Sequence, residues 1–312
     1  MPSPSRPSLP AQPALSTPVP GQPRRRRLGR LARALLYALL MAGLLLSLLS
    51  LLGGFGSAHA ADHQAGGAVD AALTEGDPLQ SLVWPDLRRE YLGRDARVQW
   101  DARVTVRGPD FAEDPMNVPI TISVQDLPGI ERIVVLVDRN PIRKVLEYQP
   151  MAALPSVSFR FKLEQASPVR AAVLTRDGLW HIGSTLVDSA GGGCTVPGAT
   201  RKDGSWAQTL GLVSGRVFES SPAAESSSAG PARLRLRVMH PMDTGLVGGI
   251  PAFHLTRLSV VDAQGAELLK LQTFEPVSEN PVFSFDFPQR PAGRLRIRGV
   301  DNNGNRIDTQ LD

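Results

Sequence analysis

The chain has 312 residues, of which 21% are charged and 5% are aromatic, a size that fits two small domains and leaves no room for a large enzyme core. Its formal net charge of +4 comes from the first 60 residues, which hold seven arginines and no acidic residue, while the remainder has 27 basic against 30 acidic residues, or −3. Phosphate-backbone binding needs a basic surface, so this balance removes the composition argument for a nucleic-acid partner.

Residues 1–60 have the order of a signal peptide. A run of four arginines at 24–27 precedes an uncharged stretch at 34–52, and the small-residue site Ala58-His59-Ala60 follows. The uncharged stretch is 19 residues long, nearly enough to cross a hydrocarbon core of roughly 30 Å, so an uncleaved membrane anchor is the alternative. Both interpretations export the rest of the chain, and the predicted location is the periplasm. A membrane is a partner only if the leader stays uncleaved.

After the leader, residues 61–93 are predicted to be an N-terminal segment with short helices, which Gly93 ends. Residues 94–197 are predicted to form a first β domain, because apolar residues alternate with polar ones in several short stretches. A continuous apolar run at 133–137 predicts a strand buried on both faces. Asp177-Gly178 predicts a hairpin turn. Short strands without long helices between them favour an immunoglobulin-like sandwich.

Residues 198–231 are predicted to be a linker, since the stretch 220–230 is rich in Ser, Ala, Pro and Glu. Residues 232–312 are predicted to form a second β domain. Its aromatic core is expected to come from the alternating Phe283, Phe285 and Phe287. The predicted fold is therefore all-β, with two immunoglobulin-like antiparallel β-sandwich domains joined by a flexible linker.

Cys194 is the only cysteine of the chain and stands at the junction of the two predicted domains. In an exported protein, a cysteine without an intrachain partner is either intermolecular or free and reactive. It follows Gly191, Gly192 and Gly193, which lack the Cβ that restricts the backbone, so the segment is predicted to be a flexible arm with an exposed thiol. The alternative is that the glycines only open a linker and that the cysteine is incidental.

Several features give the chain a family resemblance. They are the Gly-Gly-Cys end of the first sandwich and, in order, the loop from His240 to Gly245, Ile250-Pro251, Glu279-Asn280-Pro281 and the turn at 301–304. With these features the chain resembles the bacterial SoxYZ sulfur-compound carriers, its first domain resembling SoxY and its second SoxZ. It looks most similar to fused SoxYZ-like proteins associated with quinoprotein dehydrogenases.

The resemblance implies that Cys194 holds sulfur intermediates while separate enzymes oxidise and hydrolyse them. One feature of this chain departs from the family pattern. In the family, the cysteine arm lies at the end of the chain, whereas in this chain Cys194 is followed by Thr195, Val196, Pro197 and a whole domain. An arm tethered at both ends must enter a partner as a hairpin.

The function predicted from these observations is a periplasmic covalent carrier, with Cys194 as the attachment point and Gly191, Gly192 and Gly193 as the arm. It is expected to have no catalysis of its own, no cofactor and no metal, because the histidines show no paired ligand spacing. The expected partners are periplasmic redox enzymes of the Sox or quinoprotein dehydrogenase type. Two alternatives remain: an accessory or assembly protein of a quinoprotein alcohol dehydrogenase system, and an anchored structural or adhesive protein.

Overall fold

The computed structural model describes residues 71–219 and 231–311. The predicted leader and the Ser-rich part of the predicted linker lie outside these residues. No helix within them is long and apolar enough to cross a bilayer. Three short helices occur there, with α1 continuing into one wider π-helical turn at Arg88–Leu92: α1 (Trp84–Leu87), α2 (Ala199–Asp203) and α3 (Trp206–Thr209). As predicted, Gly93 ends the first helical segment, with a φ of 114°.

Strands make up most of the described structure. Their bounds in chain order are β1 (Arg97–Trp100), β2 (Val104–Arg107), β3 (Phe111–Ala112), β4 (Val118–Val124), β5 (Ile130–Val137), β6 (Lys144–Gln149), β7 (Ser156–Phe161), β8 (Ser167–Thr175), β9 (Leu179–Ser189), β10 (Val213–Glu219), β11 (Ala232–Val238), β12 (Leu255–Val261), β13 (Glu267–Thr273), β14 (Val282–Phe287), β15 (Leu295–Asp301) and β16 (Arg306–Leu311). The prediction of an all-β chain of sandwich type is confirmed.

The strands form two facing sheets. The large sheet has the order β1-β9-β8-β5-β6-β13-β12-β15-β16, with β3 pairing to β9, and the small sheet has the order β10-β11-β14-β7-β4-β2. Strands of both sheets show the alternation expected when one face is buried; β11, for example, buries every second residue. Phe283, Phe285 and Phe287 are all buried, as predicted.

Both sheets continue from the first half of the described chain (residues 71–197) into the second half (198–311). In the large sheet, β6 pairs with β13, and in the small sheet, β7 pairs with β14. The interior is shared as well, since the rings of Tyr148 and Phe285 lie 5.6 Å apart. The sequence predicts two sandwiches connected by a tether. The structure adds edge-to-edge pairing, which satisfies backbone groups that free edge strands would expose.

The described part of the predicted linker 198–231 differs from the expectation of a flexible tether. It contains α2, α3 and β10, and β10 pairs along its whole length with β11. Val213 and Val217 of β10 pack against the shared core from a partly buried position. Regular secondary structure therefore resumes at Ala199, five positions after Cys194.

The N-terminal segment covers the outer face of the large sheet in the first half. Trp84 and Leu87 pack there against Val134 and Leu136 of β5. The prediction of a strand buried on both faces at 133–137 is confirmed, because α1 covers one face and the sandwich core the other.

A buried ion-pair cluster holds this segment to the sheet. The Arg170 guanidinium of β8 is fully buried and donates to both carboxylate oxygens of Asp77 (2.9 and 2.7 Å) and of Asp138 (2.7 and 2.7 Å). Trp84 and Trp100 lie over the guanidinium, with ring centroids at 4.8 and 5.5 Å. Although burial opposes it, Arg170 holds the pKa of Asp77 below its usual value.

Replacing Asp138 by Ala is expected to destabilise the protein by about 3–5 kcal/mol, because the Arg170 charge then stays buried with half of its hydrogen bonds lost. Urea unfolding would measure the change. The matched control is Asp86→Ala, which removes an exposed ion pair with Arg89 and is expected to change the free energy of unfolding by about 1 kcal/mol or less. Equal effects of the two variants would contradict the structural role of the cluster.

Candidate functional site

The glycine arm that follows β9 is docked against the chain at 163–164. The Gly192 N–H donates to the Glu164 carbonyl at 3.0 Å, and the Gly193 N–H donates to the Leu163 carbonyl at 3.2 Å. Gly191 and Gly192 have φ values of 93° and 84°, a conformation that residues with a Cβ rarely adopt. The conformational freedom predicted for the glycines is therefore used here to fit a particular docked shape.

Gly193 is the tightest point of the arm. A Cβ at this position would lie 2.2 Å from the Pro115 carbonyl oxygen and 2.6 Å from that of Leu163. Both are backbone atoms that cannot rotate away. Only glycine lets the arm approach this closely, so the docked position depends on the absence of one side-chain atom.

Cys194 is buried, with 1% of its surface exposed. Its Sγ lies 3.5 Å from the Lys162 carbonyl oxygen, to which the thiol donates. The prediction of an exposed thiol on a flexible arm is wrong for this conformation. The reason is that the first and second halves meet over the arm and enclose the side chain from both sides, which no local sequence pattern indicates.

Each half supplies a polar side chain that holds the backbone of Cys194. From the first half, the Glu164 carboxylate accepts the Cys194 N–H at 2.8 Å and the Thr195 hydroxyl at 3.0 Å. From the second half, the buried Thr244 hydroxyl donates to the Cys194 carbonyl at 2.7 Å. Hydrogen bonds from both halves therefore hold the cysteine, and these bonds can break and re-form.

The Thr244 contact belongs to the loop from His240 to Gly245, one of the features that carry the family resemblance. The Met242 carbonyl of the same loop accepts a hydrogen bond from the Lys162 ammonium, so this loop contacts the first half at two points. The His240 ring supports the loop: its Nδ1 accepts the Met242 N–H at 3.1 Å. Burial lowers the pKa of His240 to about 4, so the ring is uncharged at neutral pH.

Lys162 places a basic group inside the same enclosure. It is 3% exposed, and burial lowers its pKa, while Cys194, Asp243 and Glu279 act in the opposite direction. The sequence shows no basic residue near Cys194 before Arg201, so this neighbour was missed. Lys162 directly follows β7 and alternates with Phe161 and Leu163, which predicts an exposed side chain. The His240–Gly245 loop of the second half covers it instead.

The docked thiol is poorly activated in spite of Lys162. Burial and the Glu164 carboxylate raise the pKa of Cys194 from 9.0 to about 12, although Lys162 acts in the opposite direction. Because the thiolate is the nucleophile, the docked cysteine is in an unreactive form at neutral pH.

The chain after the cysteine is held by Glu279 of the second half. Its carboxylate accepts the Ala199 N–H at 2.8 Å and the Thr200 N–H at 2.7 Å. The next turn is fixed by Arg201, whose Nε donates to Asp243 at 2.7 Å and whose guanidinium lies 4.1 Å from the Trp206 ring centroid. The loop that carries Cys194 therefore has two fixed ends.

Each of the three histidines within the described residues lies beside a carboxylate. His181 contacts Asp101 at 2.7 Å, His240 contacts Asp301 at 3.4 Å, and His254 lies 3.9 Å from Glu275. In the described ranges, no three His, Cys, Asp or Glu side chains come together as a metal site would require. The predictions of no metal and no cofactor remain predictions.

Comparison with protein-family models gives two matches in tandem. Residues 88–194 match the family "Sulfur oxidation protein SoxY", and residues 221–312 match "Sulphur oxidation protein SoxZ". The chain carries a SoxY domain followed by a SoxZ domain. The SoxY match ends on Cys194 itself, and the enclosure of the thiol lies where the SoxY and SoxZ domains meet.

Other comparisons add little to this assignment. A search of curated proteins finds no match. Among solved structures, the chain is similar to the sulfur carrier protein SoxY from Chlorobium limicola f thiosulfatophilum, with 18% sequence identity and a TM-score of 0.30. That similarity covers 35% of this chain and 96% of the other. The tandem SoxY and SoxZ domains point to a sulfur-oxidation carrier protein.

Proposed function

We propose that the protein carries a sulfur-containing intermediate covalently on Cys194 and presents it to partner redox enzymes in the periplasm. The observation that carries this proposal is the position of the thiol. It is the only cysteine, stands at the last residue of the SoxY match, and is held between two domains by reversible hydrogen bonds.

In this proposal, the docked position of the arm protects the thiol and the released position exposes it for reaction. In the docked position, burial keeps the thiol protonated and away from oxidants, which protects a free cysteine in an oxidising compartment. Release requires breaking the hydrogen bond that Cys194 donates to Glu164 and the one that it accepts from Thr244, and it removes the burial that raises the pKa of the thiol. Reactivity is therefore coupled to leaving the enclosure, where a partner can act on the sulfur.

Loading forms one S–S bond between Cys194 Sγ and the sulfur atom of the incoming compound. The S–H bond of Cys194, and that of the incoming sulfur where it is protonated, break, and the protons go to solvent. The two electrons released pass to the partner redox enzyme, which is the oxidant of this step. In this proposal, separate redox enzymes carry out the later oxidation or hydrolysis of the cargo.

Intact mass of the protein purified from cells grown on a reduced sulfur compound tests the proposal. We expect an added mass of sulfur, or of sulfur with oxygen, on the peptide that contains Cys194, and its loss after treatment with a thiol reductant. Cells grown without the sulfur compound provide the control. An unmodified thiol under every condition, together with full function of Cys194→Ser, would overturn the proposal.

The quinoprotein dehydrogenase association stays a prediction, since neither family match bears on it. The same holds for the alternatives of an accessory protein and of an anchored structural protein. No feature of the described residues favours either over the carrier.

A further inference from the structure

A groove of about 580 Å³ on the outer face of the small sheet concentrates positive charge. Arg216 of β10, Arg235 and Arg237 of β11 and Arg160 of β7 line it, and all four are exposed. None of the four forms an ion pair with a carboxylate in the described parts of the chain. We call this surface the arginine groove. It stands out because the chain after the leader carries a net charge of −3.

The strand register brings these charges together. Arg216 lies directly opposite Arg235 on the neighbouring strand, and Arg237 follows two residues further on the same face. Like charges in directly opposite positions destabilise a sheet, and a carboxylate in place of one of them would relieve the repulsion. The one carboxylate that lines the groove, Glu279, is already engaged with the Ala199 and Thr200 backbone. The positive charge is thus left for a partner outside the chain.

The spacing of the arginines decides what kind of partner fits. Residues directly opposite on neighbouring strands lie roughly 5 Å apart, and residues two apart on one strand lie roughly 7 Å apart. The Cα atoms of the four arginines are therefore spread over more than about 10 Å. A single small oxyanion can contact only part of such a set. Several carboxylates spread over a protein surface can contact all of it.

Phe218 adds an apolar contact to the same groove. Its side chain is 47% exposed on edge strand β10, and the Arg216 guanidinium lies 5.6 Å from its ring centroid. Arginine and aromatic side chains are the residues enriched in protein interfaces and in their hot spots. This combination favours a protein partner over a free anion.

The groove also lies close to the cysteine loop. Glu279 lines the groove and holds Ala199, which is five residues from Cys194, a distance of at most about 18 Å along an extended chain. We propose that the arginine groove docks an acidic surface of the partner protein that loads or unloads Cys194. This inference rests on the proposed carrier function, and it names the chemistry of the partner's surface.

A fluorescein-labelled peptide of ten glutamates can serve as the probe, with anisotropy as the readout and the full-length protein carrying Cys194→Ser. We expect saturable binding at low ionic strength that weakens strongly when NaCl is raised to about 0.2 M. In the double variant Arg216→Gln with Arg235→Gln, binding should weaken at least about tenfold. The matched control is Arg257→Gln with Arg298→Gln, two exposed arginines on the outer face of the large sheet, which should change binding less than about twofold.

Two results would overturn the inference. One is equal binding of the peptide by the groove variant and by the control variant. The other is complete displacement of the peptide by inorganic sulfate at about 1 mM, with sulfate binding lost in the groove variant, which would identify a small-anion site. The binding test uses protein without the thiol, so it reports on docking only. The carrier function is tested separately, by the intact mass of the protein that retains Cys194.

Discussion

At pH 7, Cys194 of the native protein is expected to react with an aromatic disulfide reagent at least about a hundredfold more slowly than Cys194 of the urea-unfolded chain. A pKa of about 12 leaves roughly one docked thiol in 10⁵ ionised at this pH, against roughly one in 10² for a cysteine with the ordinary value of 9.0. Reaction then proceeds only through molecules whose arm has left the enclosure. Time-resolved absorbance of the released thiol measures both rates.

A single hydrogen-bond variant should shift this rate. Thr244→Val removes the hydroxyl that donates to the Cys194 carbonyl, and loss of about 1 kcal/mol from the docked position should speed the native reaction about fivefold. Thr256→Val is the matched control, since it removes a similar bond to the Val300 carbonyl at 2.8 Å without touching the arm. Equal rates for native and unfolded wild-type protein would contradict the docked position in solution.

The native labelling reaction is expected to speed up as the pH rises above 9. Because docking raises the pKa of Cys194, the docked position keeps its full stability below pH 9 and loses about 1.4 kcal/mol per pH unit between pH 9 and 12. Opening of the arm should therefore become about tenfold easier per unit above pH 9. The labelling rate of the unfolded chain levels off once its thiol is ionised. A further rise in the rate of the native protein above that pH therefore reports opening of the arm.

The second large effect is expected for Gly193→Ala, which should bring the native labelling rate to within about tenfold of the unfolded rate. The added Cβ would meet the Pro115 and Leu163 backbone at 2.2 and 2.6 Å, so the arm cannot occupy its docked position. The sandwich core lies elsewhere, and the melting temperature should change by only a few degrees. Labelling kinetics and circular dichroism measured on the same samples test both statements.

Gly192→Ala is the neighbouring control for this variant. A Cβ at Gly192 meets no atom within 4 Å, and the variant carries only the strain of a positive φ, about 1 kcal/mol. It should speed labelling about fivefold. If Gly193→Ala labels as slowly as the wild type, the close packing of the arm is not what encloses the thiol.

The sequence predicts features that depend on neighbouring residues and fails for those that depend on distant ones. Alternation alone identifies β11 and β14, and a continuous apolar run identifies the buried end of β5. The same alternation places Lys162 on a solvent face, because the loop that covers it begins nearly 80 residues later at His240. The enclosure of Cys194 was missed for the same reason.

The cysteine itself could be found from its uniqueness and from the glycines before it. Its burial could not, because Glu164 and Pro115 approach the arm through the fold of the first half, and Thr244 reaches it only through the pairing of the second half with the first. Strand β10 was missed because Gly215 interrupts the apolar alternation between Val213 and Val217.

The two fixed ends of the cysteine loop limit how far a released thiol can travel. Strand β9 ends at Ser189 and α2 begins at Ala199, so four residues separate Cys194 from each fixed end and it stands at the apex of the loop. Each arm of the loop spans at most about 18 Å when extended, and two chain segments side by side are about 10 Å wide. A partner that receives this thiol would need a cleft wide enough for two chain segments, with its reacting group no more than about 18 Å from the base of the loop.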